Sequence, residues 1–453
     1  MPQNYKAVYF ADYPAEISQQ KSLTLAFGKK ANDIFESIKD LSSEEIRQLL
    51  GTDNYQSIAE AAVREDLPLN RYCIRQLKQS LNLFEGKKGQ LDFSDIVNDD
   101  IFDPLSMTFK GGAKEPFVNW YPYLQGYSPQ FVETILRKFS PFAKNILDPF
   151  GGTGTTAFTA AKLDIQSYFC EINPVLQFIC LAKMHVRRLK KNDRIRLSEK
   201  LMQREESLTR IKILGPDKRL EESYKKCFGN SKFFDEDVYE HVLKLRSWID
   251  KISLEDPLLA DLLTVAVLAT LVPASRMMRA GDMRYKTSAE VLGKTVPILK
   301  GVAEKIVQIS KDVREDVNGL IKQPIMISED ALSLGSIPFL NIDTVITSPP
   351  YVNGTNYFRN TKIELWFLRC LVTNDDLARY RKKAITAGIN DVTLGKTRLS
   401  TNPQVQHIVK MLEENAYDSR IPRMIGSYFR EIEDVFSFIR HHLTNKAIVT
   451  IDI

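Results

Sequence analysis

Two short stretches of this chain combine residue types whose spacing could do chemistry. The first is Asp148-Pro149-Phe150-Gly151-Gly152-Thr153-Gly154, inside Asn145–Leu163. Gly151, Gly152 and Gly154 make a turn that bulky residues could not follow. Ile146 and Leu147 read as the end of a buried strand, and Ala157–Leu163 has the small, apolar spacing of a helix packed on a sheet. Strand, glycine turn and helix in that order form a ligand cradle, because a helix opens with free N–H groups and the positive end of its dipole. Gly152, Gly154 and Ala157 also fit the dinucleotide pattern G-x-G-x-x-G/A, and a glycine turn with no ligand is the plainer alternative. The second stretch is Thr347-Ser348-Pro349-Pro350-Tyr351, which a dehydrogenase has no reason to carry. Its two prolines stiffen the turn and remove competing N–H donors. Read alone, it is also compatible with an ordinary Pro-Pro loop and a buried tyrosine.

The elements that would position these stretches follow an α/β rhythm. Gln166–Cys170 reads as a second strand closing on Glu171, and an acidic residue about 20 positions beyond the glycines can accept hydrogen bonds from ribose hydroxyls. Pro324–Ile327 and Leu340–Thr347 read as further strands, Thr361–Cys370 as a helix, Tyr428–His442 as an amphipathic helix and Ala447–Ile453 as a last strand. Residues 371–420 are polar and irregular, which predicts a mobile or substrate-contacting segment. Phe102–Phe142 is aromatic and proline-rich; Trp120-Tyr121-Pro122-Tyr123 is either a packed loop or a lip over the cradle. The rhythm breaks at residues 175–320, a long helical section. Within it, Leu258–Val272 is an apolar run, too short for a bilayer and expected to be a buried helix. His185–Lys232 holds fifteen Lys or Arg against seven Asp or Glu, a local excess of +8 that exceeds the +5 of the whole chain. That concentration points to phosphate contact, with a solvated face as the alternative. Ser275–Lys286 has clustered arginines that could meet nucleic acid or the core. The first 105 residues mix short helical patterns; Ile58–Leu81 reads as a packing layer or a helix-turn-helix.

At 453 residues, two or three domains are expected. The five cysteines (Cys73, Cys170, Cys180, Cys227, Cys370) are scattered, with no C-x-x-C, which argues against zinc and a disulfide scaffold and fits a reducing cytoplasm. No metal site, signal peptide or membrane span is expected.

Together, Asp148-Pro149-Phe150-Gly151-Gly152-Thr153-Gly154 and Thr347-Ser348-Pro349-Pro350-Tyr351 resemble the amino-methylating DNA methyltransferases, S-adenosylmethionine-dependent enzymes that modify exocyclic amines of cytosine or adenine. The likeness covers roughly residues 106–174 and 321–453. It implies an α/β fold with the class I methyltransferase (Rossmann-like) sheet. The domains it implies are a mostly helical region 1–105, a cofactor half 106–174, a helical insert 175–320 suited to DNA recognition, and a catalytic half 321–453. It also implies S-adenosylmethionine beside Gly151, Gly152 and Gly154, with Asp148 toward its ammonium group or the loop amides and Phe150 packed over it. Glu171 would hold the ribose, and Asp330 would meet the adenine amino group. Ser348, Pro349, Pro350 and Tyr351 become the catalytic turn: Ser348 Oγ and the Pro349 carbonyl accept amine protons, and Tyr351 stacks on a base rotated out of the duplex. Asn353, Asn356, Tyr357 and Arg359 follow closely enough to line the target pocket or meet phosphate, with a structural role equally open to Arg359.

Serine before Pro-Pro favours cytosine N4 over adenine N6 by association with the resembled family. The partners implied are double-stranded DNA and a cognate restriction endonuclease. The resembled fold continues past its fifth strand with a β-hairpin while nothing follows Ile453, so a partner chain or a truncated product is expected, poorly soluble or inactive alone. A non-catalytic DNA-binding subunit and an RNA methyltransferase are the competing readings.

Overall fold

Four residues, Asn145–Asp148, set the centre of the molecule. In the computed structural model they form β2, whose Ile146 and Leu147 are fully buried, as expected for a parallel strand covered on both faces. The structure describes residues 105–452 apart from 281, 317–320, 353–356, 393, 394, 396 and 397, together with residue 103 and the short strand β1 (Ala7–Phe10). Leu105–Ile451 make up one compact unit. The helical reading of residues 1–105, with its Ile58–Leu81 motif, and the positions Asn353 and Asn356 lie outside the described residues.

β2 is flanked by β3 (Gln166–Cys170) and β7 (Ile342–Thr347), and the sheet extends to β6 (Ile325–Ser328) beyond β3 and β8 (Leu443–Asp452) beyond β7. The five strands run parallel in the order β8–β7–β2–β3–β6. The expected strands fall within two residues of where the pattern put them, except that β8 begins four residues before the predicted Ala447. This is an α/β architecture consistent with a Rossmann-like methyltransferase fold.

Helix starts follow from local chemistry. α1 (Pro129–Phe139) opens with Ser128 accepting from the Phe131 amide, and α2 (Thr155–Lys162) springs from Gly154. α3 (Pro174–Arg187) is capped by Asn173, whose side chain accepts from Val175 N at 3.0 Å, with Pro174 in the first turn.

The helical section beyond α3 comprises α4 (Lys191–Glu206), α5 (Lys218–Phe228), α6 (Glu236–Ser253), α7 (Pro257–Ala274) and α8 (Ile298–Glu315), with an antiparallel hairpin of β4 (Met277–Ala280) and β5 (Asp282–Tyr285) between the last two. α7 is the buried helix that the apolar run predicted, but longer. At 18 residues it is long and apolar enough to cross a membrane, yet 78% of it is buried inside the protein, with α6 and α8 packed against it. Its apolar core is continuous with α3 and with Phe358, Ile363, Leu365, Trp366 and Phe367. A second apolar cluster joins the sheet, through Leu147 and Val345, to Tyr428, Val435 and Ile439.

Residues 371–420 differ from expectation. They contain α10 (Asn374–Lys383), which follows α9 (Lys362–Phe367), and α11 (Pro403–Asn415). Only Asp376 is buried on α10 and only Val405 on α11. With no apolar stripe, α10 does not show in the periodicity, whereas Val405, Ile408, Val409 and Leu412 of α11 do fall at helical spacing. α12 (Ile421–Arg440) then leads into β8 and begins well before the predicted Tyr428.

Candidate active site

β2 and β7 are neighbours in parallel register, Ile146 beside Thr344 and Leu147 beside Val345. The turns that follow them, Asp148–Gly154 and Ser348–Tyr351, therefore emerge side by side at the carboxyl edge of the sheet. Both line one cleft enclosing about 1150 Å³, part of it open to solvent. Tyr123, Tyr127, Glu171, Asp330 and Tyr357 also line it. Clefts at this edge are where open α/β sheets bind ligands.

Asp148 ties the two turns together. Its Oδ1 accepts from Thr347 Oγ1 at 2.7 Å and from Phe150 N at 3.1 Å, and its Oδ2 from Tyr127 Oη at 3.3 Å. Burial pushes this carboxyl above the ordinary aspartate range, against the pull of those hydrogen bonds. Asp148 is thus engaged with the loop's own amide and the neighbouring strand.

The glycines have separable reasons. A Cβ at Gly151 would lie 2.9 Å from the Phe169 ring, so β3 leaves no room for a side chain at this position, which also lines the cleft. Gly154 adopts φ +87°, and a Cβ there would strike Phe158 at 2.6 Å. Gly152, at φ +55°, is different: its Cβ would point at Tyr123, 3.2 Å from Cε1, and both residues line the cleft. The Trp120–Tyr123 stretch accordingly divides between the two readings. Trp120 and Tyr121 are core, with Trp120 Nε1 donating to Asp312 Oδ2 at 2.9 Å, while Tyr123 is lip.

Glu171 braces the glycine loop. Its Oε2 accepts from Gly152 N at 2.8 Å and its Oε1 from Asn173 N at 2.7 Å. Desolvation outweighs those bonds and pushes its carboxyl up to about 8. Asp330 caps the short 3₁₀ turn Ala331–Ser336, accepting from Leu332 N at 2.8 Å, and faces the same cleft. Phe150 also lines it, among the apolar residues that pack on the sheet cluster.

In the second turn Pro349 is buried, and Ser348, Pro350 and Tyr351 are half-buried. Ser348 Oγ lies 2.9 Å from Tyr351 Oη, and Tyr351 N donates to Tyr357 Oη at 2.9 Å. The serine is thereby coupled to a tyrosine hydroxyl within its own turn, and Tyr357 fixes the turn's backbone.

Two features of the site were missed. Lys183, on α3, is buried under the glycine loop, where its Nζ donates to Thr153 O at 3.0 Å and sits 5.7 Å from the centre of the Phe158 ring. Desolvation lowers its ammonium to about 8. A lone lysine in the apolar run Val175–Met184 was the available signal. The other is the wall formed by Arg381, Ile385, Ala387 and Asp391, on which no local pattern bears.

The basic excess of residues 185–232 is partly internal. Arg187 and Arg194 are buried and share Asp316, at 3.3 and 3.2 Å. Lys200 pairs with Asp256, and Lys218 and Lys225 pair with Glu221. In the 275–286 cluster Arg279 belongs to the core, bonded to Glu364 and Tyr121, whereas Arg276 and Arg284 are exposed and pair with Asp235 and Glu290. Arg359 lies 3.4 Å from Asp282 at the surface.

The fold and site define an α/β protein with a cleft at the carboxyl edge of its parallel sheet, one wall of which is a Ser-Pro-Pro-Tyr turn. Residues 113–179 match the family model described as DNA methylase, of the N6/N4 type. The chain is 22% identical over 304 residues to the type II methyltransferase M.BsoBI of Geobacillus stearothermophilus, covering 60% of this chain and 57% of that one. It is 23% identical over 364 residues to the type II methyltransferase M.AvaI, both of Nostoc sp. and of Anabaena variabilis, covering 72% of this chain and 71% of theirs. The chain thus spans 57% of the length of the first of these relatives. No solved structure matches it. Residues 113–179 thus resemble the N6/N4 DNA methylase family, and the chain is a distant homologue of those type II enzymes. That likeness implies S-adenosylmethionine as the cofactor, and the cleft fits it. Gly152 leaves space that a Cβ would fill, and the carboxyls of Glu171 and Asp330 line a wall suited to hydroxyl and amino groups.

Proposed function

We propose that this protein is a site-specific DNA methyltransferase acting on an exocyclic amine of a base rotated out of double-stranded DNA, with cytosine N4 as the target rather than adenine N6. The observation that carries this reading is the placement of the Gly152 and Ser348 turns on adjacent strand ends, lining one cleft. In this reading residues 106–174 and 321–453 are the cofactor and catalytic halves, and the helical section 175–320 recognises DNA. A restriction–modification role in the cytoplasm, beside a cognate endonuclease, goes with it.

S-adenosylmethionine, when bound, supplies an electrophilic methyl group. The protein's task is to make a poor nucleophile attack it, because the amine lone pair is delocalised into the base ring. Ser348 Oγ and Tyr351 Oη are 2.9 Å apart and either can donate; with the serine as donor, its lone pairs are left to accept from the amine. The Pro349 carbonyl accepts the second amine proton. Holding both N–H bonds favours a pyramidal nitrogen aimed at the methyl group. Tyr351 provides the flat surface for the extruded base, and Glu171, Asp330 and Phe150 hold the nucleoside end of the cofactor.

The test is transfer of isotopically labelled methyl to DNA, followed by mass spectrometry of the nucleosides. N4-methylcytosine is the expected product, and N6-methyladenine alone overturns the choice of base. Ser348→Ala is expected to reduce turnover by about 10²–10³-fold, the usual cost of a lost transition-state hydrogen bond, with cofactor affinity intact. Gly152→Val forces a β-branched residue to φ +55° against Tyr123 and is expected to abolish cofactor binding. Calorimetry showing normal affinity in that variant would remove Gly152 from the site.

A further inference from the structure

Resting on the reading of the cleft as a methyl-donor site, we propose that Arg381 and Asp391 are positioning residues that clasp the loop between them into a wall over the purine-nucleoside end of the cofactor. Arg381 lies at the carboxyl-terminal end of α10, and its Nε donates to Asp391 Oδ1 at 2.9 Å. A second guanidinium nitrogen lies 2.9 Å from the same oxygen. The other oxygen, Asp391 Oδ2, accepts from Ala387 N at 3.2 Å and Gly388 N at 2.8 Å. The loop is also fastened from outside, Thr386 N donating to Glu431 Oε2 on α12 at 2.6 Å. The pair's side chains are 17% and 9% exposed, so this is not a solvated ion pair of negligible worth.

The position of the loop assigns its role. Ile385 is 7% exposed and belongs to the apolar cluster that includes Ala331, the neighbour of Asp330, and against which Phe150 packs. Ala384, Ile385, Ala387 and Asp391 line the cleft together with Phe150 and Asp330. On the other side, α10 is held to the segment after the Ser-Pro-Pro-Tyr turn by Tyr380 stacked on Phe358, centroids 5.6 Å apart. The loop therefore begins beside the catalytic turn and lies along the apolar side where a flat purine would pack on Phe150 and Ile385. A carboxylate that gathers two loop amides and a guanidinium holds that surface in place before the ligand arrives, which lowers the ordering cost of binding.

The experiment is calorimetric titration of the full chain with S-adenosylhomocysteine, a non-reacting probe. Arg381→Gln and Asp391→Asn are expected to bind about tenfold more weakly or worse, a loss of about 1.4 kcal/mol, with Arg381→Lys recovering part of it. In steady-state kinetics the cofactor KM rises, while the rate at saturating cofactor and the KM for DNA stay at wild-type levels. Unchanged affinity in the folded variants overturns the proposal, as does a rise in the KM for DNA in place of that for the cofactor. Should Arg381→Gln fail to fold, hydrogen exchange at the wild-type Ala387 and Gly388 amides decides: strong protection in the unliganded protein supports the clasp, and protection that appears only on probe binding overturns it. Wild-type protein that binds no S-adenosylhomocysteine would instead sink the methyl-donor reading itself.

Discussion

Glu171 and Lys183 brace the glycine loop from opposite sides, one holding the Gly152 amide and the other the Thr153 carbonyl. Both are removed from water, and desolvation disfavours the charged form of each. Burial moves the glutamate from 4.5 up to about 8 and the lysine from 10.5 down to about 8. Between pH 4.5 and 8 the folded state holds a proton on Glu171 that the unfolded chain has released, so stability falls as pH rises. Between 8 and 10.5 the unfolded chain holds the extra proton on lysine, so stability rises with pH. Each limb is worth at most about 1.4 kcal/mol per pH unit. The pair places a trough of stability near pH 8. Urea unfolding across this range is expected to show Glu171→Gln losing the acid limb and Lys183→Met the alkaline one. A slope indifferent to both substitutions would mean that the two groups are solvated.

At the scale of elements, α7 is the helix on which the helical section is assembled. Leu262, Leu263, Val265, Ala266, Val267 and Leu271 are fully buried on it. Leu262→Ala is expected to cost about 2–5 kcal/mol, read as a lowered urea midpoint. Because the same apolar core reaches Trp366, circular dichroism and tryptophan fluorescence should report one transition. This helix was legible in the sequence because fifteen apolar-rich residues from Leu258 to Val272 say buried whatever the register. β2, β3 and the glycine turn were legible because strand, turn and helix signals are local and adjacent. α10 was not: its buried side is the single Asp376, and it is started by a Thr373–Asp376 capping box rather than an apolar stripe. The Arg381–Asp391 clasp was beyond reach for a related reason, since a pair ten residues apart in a polar segment has no period to betray it.

Across the whole unit, one buried junction joins three stretches far apart in sequence. Arg279 reaches from β4 to Glu364 on α9, to Tyr121 Oη at 2.7 Å and to the Asn360 carbonyl at 3.0 Å. The Glu364 side chain is fully buried and that of Arg279 is 11% exposed. Tyr121 Oη donates to Glu364 at 3.1 Å, two residues before Tyr123 enters the cleft. The helical section, the lip and the segment behind the Ser-Pro-Pro-Tyr turn thus share one ion pair in a water-poor setting. Removing one partner there strands a charge. Arg279→Met is expected to destabilise the unit by about 3–5 kcal/mol, whereas Arg279→Met with Glu364→Leu, which removes both charges, should recover most of that loss. A double-mutant cycle by urea unfolding measures the coupling. Because the lip hangs on the same junction, the single variant should also bind S-adenosylhomocysteine more weakly than the double one. Additive costs in the cycle would show that β4 and α9 merely touch, and that the helical section does not hold the lip in place.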